Sequence, residues 1–227
     1  KIVGPGGTFV TAAKRQVYGT VALDLVAGPS EIAILADDSA NPEFVAADLL
    51  SQAEHGTGFE RAMFVTDSAD LAQQVTAAIS RQTAKLTRRN LVKRVTDANG
   101  ILLIVAPSID EGLELINRFA PEHFELMVRD AADLAPRVTC AGAVFIGPWT
   151  PESVGDFAAG PSHVLPTGGA ARMFSGLTVD DFRRRTSLVD YREEDLRDAL
   201  PVIEMFSDIE GLDGHYKSAA LRFQTPR

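Results

Sequence analysis

The chain has 227 residues, 45% hydrophobic and 23% charged, the composition of an ordinary globular protein with a sizeable core. A formal net charge of −9 argues against nucleic acid or anionic lipid as a partner, and no apolar run approaches the length of a bilayer span. The single cysteine, Cys140, excludes an intrachain disulfide framework and fits a reducing cytoplasm, with a buried structural thiol expected rather than a nucleophile.

Residues 1–3 read as the end of a strand, Gly4-Pro5-Gly6-Gly7 as a tight turn and residues 8–18 as a helix. The chain therefore opens in mid-strand, as a piece of a longer protein would, and without a signal peptide. A glycine-rich turn feeding a helix can cradle an anion on its free N–H groups. As a dinucleotide fingerprint it is incomplete, because the full glycine spacing and the scheduled acidic residue are missing.

Gly28-Pro29-Ser30 breaks the chain, and residues 31–35 form a short buried strand. Asn41-Pro42 opens a helix over 42–55, with an apolar stripe of Phe44, Val45, Leu49 and Leu50, and Gly56 stops it. A strand at 62–65 follows, then a helix capped by Asp67 or Ser68 that carries Leu71, Val75 and Ile79 on one face. A helical segment at 86–96 leads to a wholly apolar strand at 101–105 and to a helix patterned on Leu113, Leu115 and Ile116. Strands at 124–127 and 143–146 complete the alternation. Residues 147–176 lack periodicity and read as one long functional loop. Thr178–Asp181 resembles a capping box with Asp in place of Glu. Residues 193–206 form a further helix, and Gly211-Leu212-Asp213 opens a last one that carries His215.

Short apolar strands alternating with amphipathic helices predict an α/β fold, a mostly parallel Rossmann-like sheet with helices on both faces and a small helical carboxyl-terminal extension. The expected division is 1–27 as the end of an incomplete amino-terminal α/β domain and 28–175 as the Rossmann-like domain with most of the site residues. Residues 176–227 form a helical arm too small for its own core, packed on another body or subunit. Ligands of such sheets are expected beyond the carboxyl ends of the strands.

The polar residues in unusual settings are Gln52, His55, Glu122, His123, Asp156, His163, Glu210 and His215. Gln52 and His55, three apart on a helix, can aim at one point, although a histidine in a last helical turn also simply complements the dipole. His55, Asp156 and His215 with the amide oxygen of Gln52 would make a cysteine-free set of N and O donors for zinc, with manganese or cobalt as alternatives. Glu122 and His123 are adjacent general bases that could serve two proton transfers. His163 is expected to pack in its loop. Spacing alone leaves open whether these groups converge.

The segments KIVGPG, AGPSE, DLLSQAEHG, APEHFEL, TPESVGDFAAGPSHVLPT, SGLTVDDF and EGLDGH resemble, in order and over nearly the whole chain, the signature blocks of the histidinol dehydrogenase family. The resemblance implies the carboxyl-terminal part of a zinc-dependent enzyme that oxidises L-histidinol to L-histidine through the aldehyde, consuming two NAD, as the last step of histidine biosynthesis. It implies Gln52, His55, Asp156 and His215 as zinc ligands and Glu122 and His123 as the catalytic pair. Substrate-contacting positions fall on Ser30, Gln52, His55, His123, Asp156, Glu210 and His215, with Glu210 suited to a cationic group. A homodimer is implied in which the ligand matching His215 comes from the neighbouring subunit. Where the family has an asparagine that touches NAD, this chain has Gly7, and most other NAD contacts belong to the amino-terminal part. Three alternatives remain open: a related dehydrogenase of another small polar alcohol such as a sulfonated diol, a zinc hydrolase with Glu122 as base, or a dimerisation and scaffold piece inactive alone.

Overall fold

The structure, a computed structural model, describes residues 1–224. Five parallel strands, β1 (Glu31–Ala36), β2 (Arg61–Thr66), β3 (Ile101–Val105), β4 (His123–Met127) and β5 (Ala143–Ile146), form one sheet in the order β3-β2-β1-β4-β5. That is the doubly wound arrangement expected, with the strand order reversing between β1 and β4. Register is fixed by pairs such as Ile32↔Ala62 and Ile32↔His123 on the two sides of β1.

The period-2 alternation sends side chains of the central strands to two different cores. On one face Ile32, Ile34, Ala62, Phe64 and Met127 pack with Val45, Leu49, Leu71 and Val75 of α2 (Pro42–Ala53) and α3 (Ala69–Thr83). On the other, Ala33, Leu35, Val65, Phe124 and Leu126 pack with Leu113 and Ile116 of α5 (Ile109–Phe119) and with Leu134 of α6 (Ala131–Leu134). Between α3 and β3, α4 (Arg89–Asp97) buries Val92 and Val95 against Leu50 and Ala53 of α2. The sequence-coded caps hold the helices in place: Asn41 accepts from the Glu43 N–H, Ser68 from the Leu71 N–H and Ser108 from the Glu111 N–H.

At the amino end, α1 (Thr8–Val17) follows the glycine turn, and the expected strand at residues 1–3 is reduced to a single parallel bridge, Ile2↔Leu23. The long loop expected over 147–176 contains a helix, α7 (Glu152–Phe157), and a short 3₁₀ turn at Ala170–Arg172. The Thr178–Asp181 box closes as read, the Asp181 carboxylate accepting the Thr178 N–H at 2.7 Å. Two compact units divide at Arg183/Arg184, the second consisting of α8 (Glu193–Glu210) and α9 (Asp213–Ala220) with their flanking segments. No helix among the described residues is long and apolar enough to cross a membrane.

A candidate active site at the amino edge of the sheet

In a parallel sheet each crossover helix carries the chain from the carboxyl end of one strand back to the amino end of the next. Helix α2 therefore ends over the amino edge, and it delivers Gln52 in its last turn and His55 just beyond the Glu54 cap. His55 is thus outside the helix, not within it as the pattern suggested, yet its Nδ1 lies 3.1 Å from the Gln52 carbonyl and 3.4 Å from the Gln52 Nε2. With Nδ1–H donating to that carbonyl, the Nε2 lone pair of this exposed ring is left for a ligand.

Glu122 and His123 arrive at the same edge, His123 as the first residue of β4 and not ahead of the strand. The site accordingly sits at the amino ends of the strands, contrary to the carboxyl-end expectation. At the carboxyl end of β1 and β4 the crevice is crossed instead by Arg129, which reaches Asp38 at 2.6 Å and donates its N–H to Asp37 at 3.0 Å.

His123 is 3% exposed, and its Nδ1–H donates to the Glu31 carbonyl at 3.0 Å, with the Gln52 Oε1 at 3.3 Å. That bond fixes the tautomer. Nε2 is then the acceptor nitrogen, and it is buried without a hydrogen-bond partner. Burial holds the imidazole neutral by lowering its pKa to about 4, against the opposing Glu31 bond and the Asp156 charge. Facing Nε2, at 4.0 Å each, are carboxylate oxygens of Glu152 and Asp156.

Glu122 is buried beside it, with Oε2 accepting the Glu31 N–H at 3.0 Å and a hydrogen bond from Ser30. Burial pushes this carboxyl up to about 8, and the charges of Glu31 and Asp156 push in the same direction. Its Oε2 lies 3.9 Å from the His123 Nδ1, so two proton-handling groups of opposite kind share one corner.

Asp156 reaches the site on α7, whose path is set by contacts distant in sequence. The Glu125 carboxylate in β4 accepts the Glu152 N–H at 2.7 Å, and Ser51 of α2 lies 3.2 Å from the Glu152 Oε2. Gly155 lets the helix lie on the sheet, because a Cβ there would stand 2.6 Å from Cε1 of Phe145. Phe145 in turn packs on the His123 ring, with centroids 5.9 Å apart. Gly155→Ala is expected to destabilise the fold, since overpacking of about 1–3 kcal/mol exceeds the helix-propensity gain of about 0.5–1 kcal/mol. Thermal unfolding would register it as a lowered Tm; an unchanged or raised Tm would show that the ring simply moves aside.

Glu152 was missed by the sequence reading. It sits one turn ahead of Asp156 in a helix, at the (i, i+4) spacing that puts two carboxylates on one face, and that signal was available. His123, Glu152 and Asp156 offer ligand atoms that all lie within 4.8 Å of one another. Burial and the neighbouring Asp156 charge raise Glu152 to about 7, and among the described residues no lysine or arginine forms an ion pair with Glu152 or Asp156. Crowded carboxylates without a cationic side chain, beside an orphaned buried imidazole nitrogen, fit a divalent cation.

An apolar cavity of about 370 Å³ opens from His123 and Asp156 between β5, α7 and the 161–178 segment. His163 is among its lining residues and so faces a cavity as well as its loop. Gly7 is the exposed N-cap of α1, with open space where a side chain would stand. Glu210 and His215 belong to the second unit, where both line one cleft of about 250 Å³ with Val202, Ile203, Phe206, Ser207 and Leu212.

The sequence model described as histidinol dehydrogenase matches residues 1–223. The chain is 48% identical over 225 residues to the histidinol dehydrogenase of Bacillus thuringiensis subsp. konkukian, and 46% identical over 224 residues to that of Heliobacterium mobile. These alignments take in 98% and 99% of this chain but 52% of each relative, so the chain spans about half the length of the curated relatives it matches. The crystal structure of histidinol dehydrogenase from Elizabethkingia anophelis superposes with a TM-score of 0.91 at 37% identity, over 98% of this chain and 51% of that one. With a match along nearly its entire length in sequence and in fold, the chain belongs to the histidinol dehydrogenase family.

Proposed function

We propose that the protein to which this chain belongs oxidises L-histidinol to L-histidine through the aldehyde, with NAD as the oxidising co-substrate in both half-reactions and a zinc ion in the site. The observation that carries this reading is the buried, partnerless Nε2 of His123, held as a proton acceptor by the Glu31 carbonyl and flanked by Glu122. Histidine catalyses such transfers best when its acceptor nitrogen is fixed and desolvated.

His123 Nε2 takes the hydroxyl proton as the carbinol carbon gives its hydride to NAD. Glu122 accepts a proton from the water that adds to the aldehyde, and the resulting hydrate delivers the second hydride. Gln52, His55 and Asp156, joined by the partner's His215 in a homodimer, would hold the zinc through N and O donors. When bound, the ion supplies a fixed positive charge that orients the substrate's amine and ring and draws neighbouring acids towards ionisation. Ser30, bonded to Glu122, and Glu210 would contact the substrate, the glutamate matching a cationic imidazole or amine. For NAD this chain offers the N–H groups at the start of α1 after Gly7, and the remaining contacts fall to the rest of the protein.

The deciding experiment is NADH formation by the full-length protein with L-histidinol beside a dihydroxypropane sulfonate. Two NADH per histidinol and no response to the sulfonate are expected. A response to the sulfonate alone would assign the protein to another alcohol.

A further inference from the structure

His123, Asp156 and Gln52 come from three different elements, and a single side chain touches all three of those elements. Glu125 lies two residues after His123 on the same face of β4, and at 1% exposure it is wholly buried. Its Oε1 accepts the Glu152 N–H at 2.7 Å and so caps α7, which carries Asp156 one turn later. Proline precedes that helix, and no local side chain caps it. The carboxyl of Asp48 is hydrogen-bonded to Glu125 from α2, one turn ahead of Gln52 on the same helix face. The Glu125 Oε2 finds no N–H or hydroxyl donor.

We propose that Glu125 is a positioning residue for the active centre, and that its bridge to Asp48 and to the Glu152 amide sets α2, β4 and α7 in the register that brings Gln52, His123 and Asp156 together. Two carboxyls within hydrogen-bonding distance need one shared proton, which satisfies the otherwise orphaned oxygen. Burial raises both carboxyls, Asp48 to about 6 against the opposing hydrogen bond from Glu125, and the Asp48 charge adds to the rise at Glu125. A leucine at position 125 would fill much of the volume without linking the elements. The role rests on the function proposed above, its kinetic readout on the reaction and its metal readout on the zinc site, and the two can fail separately.

The test uses the full-length protein with Glu125→Gln, Glu125→Leu and Asp48→Ala, measuring zinc affinity by chelator competition and kcat and KM separately, well below each Tm. Glutamine keeps an acceptor for the Glu152 N–H and donates to Asp48, so zinc affinity and kcat within about threefold of wild type are expected. Glu125→Leu should weaken zinc by about 10–100-fold, the range seen when groups behind a metal's ligands are lost, and lower kcat with it. Asp48→Ala, at a half-buried position, should show the same pattern more mildly and serves if the leucine variant does not fold. A lowered Tm with unchanged zinc affinity and kcat in either variant would overturn the positioning role, as would a glutamine variant as impaired as leucine. Wild-type protein inert towards histidinol would defeat the assigned reaction while leaving the zinc series to judge Glu125.

Discussion

Replacing His123 by asparagine in the full-length protein is expected to lower kcat for histidinol by about 10²–10⁴-fold, the contribution of a positioned general base. Asparagine is the informative change because its Nδ2 stands where the imidazole Nδ1 stood. The hydrogen bond to the Glu31 carbonyl is retained, and only the acceptor at Nε2 is removed. Glutamine would reach the other position and confuse the two roles. Since Nε2 has no hydrogen-bond partner in the structure, its deletion strands no neighbouring group. The stability cost comes from the packing with Phe145 and from the amide oxygen that asparagine brings into the site. KM should change far less than kcat, because proton removal is felt in the transition state more than in binding. The imidazole of the wild type is neutral above about pH 4, so its proton-accepting form is already present at neutrality. A kcat within a few-fold of wild type in a folded, zinc-loaded variant would remove His123 as the base.

The parts of this arrangement that the sequence made legible are those with local causes. The strands β1, β2 and β3 stand out because short apolar runs end at capped helices, and Asn41, Ser68 and Ser108 cap where their positions suggest. Helix α7 was not legible: it has six residues, contains Gly155, and takes its cap from Glu125, 27 residues earlier in the chain. The same distance effect hid Glu152, whose importance depends on the Ser51 contact and on the approach of His123. The choice of sheet edge could have been read, since a histidine closing a βαβ crossover helix must lie near the amino end of the next strand. What spacing could not give was the meeting of residues 52, 122, 123 and 156, which follows from parallel register and the return of α7 along β4 and β5. The family resemblance supplied those roles from outside the physical argument.

The second large effect concerns which nitrogen holds the metal. His123 Nε2, Glu152 and Asp156 are close enough to share an ion by themselves, and this competes with Gln52, His55, Asp156 and the partner's His215. One lone pair cannot serve both as ligand and as base, so if Nε2 bound the ion, the site would lose its acceptor for the alcohol proton. His55 has no such conflict: its Nδ1 is engaged by the Gln52 carbonyl, and its Nε2 is free. His55→Ala is therefore expected to lower zinc affinity by more than about 100-fold, beyond the 10–100-fold typical of losing a group behind the ligands, and to abolish turnover at limiting zinc. His123→Asn should keep its zinc. Metal analysis of the two purified variants beside wild type, with chelator competition for the affinities, separates the alternatives. Zinc retained by His55→Ala and lost by His123→Asn would place the ion on the His123, Glu152 and Asp156 trio and leave Glu122 as the remaining candidate base. Zinc lost from His55→Ala, with protein still folded by circular dichroism and partial activity restored by excess zinc, would assign His55 to the metal and His123 to the proton.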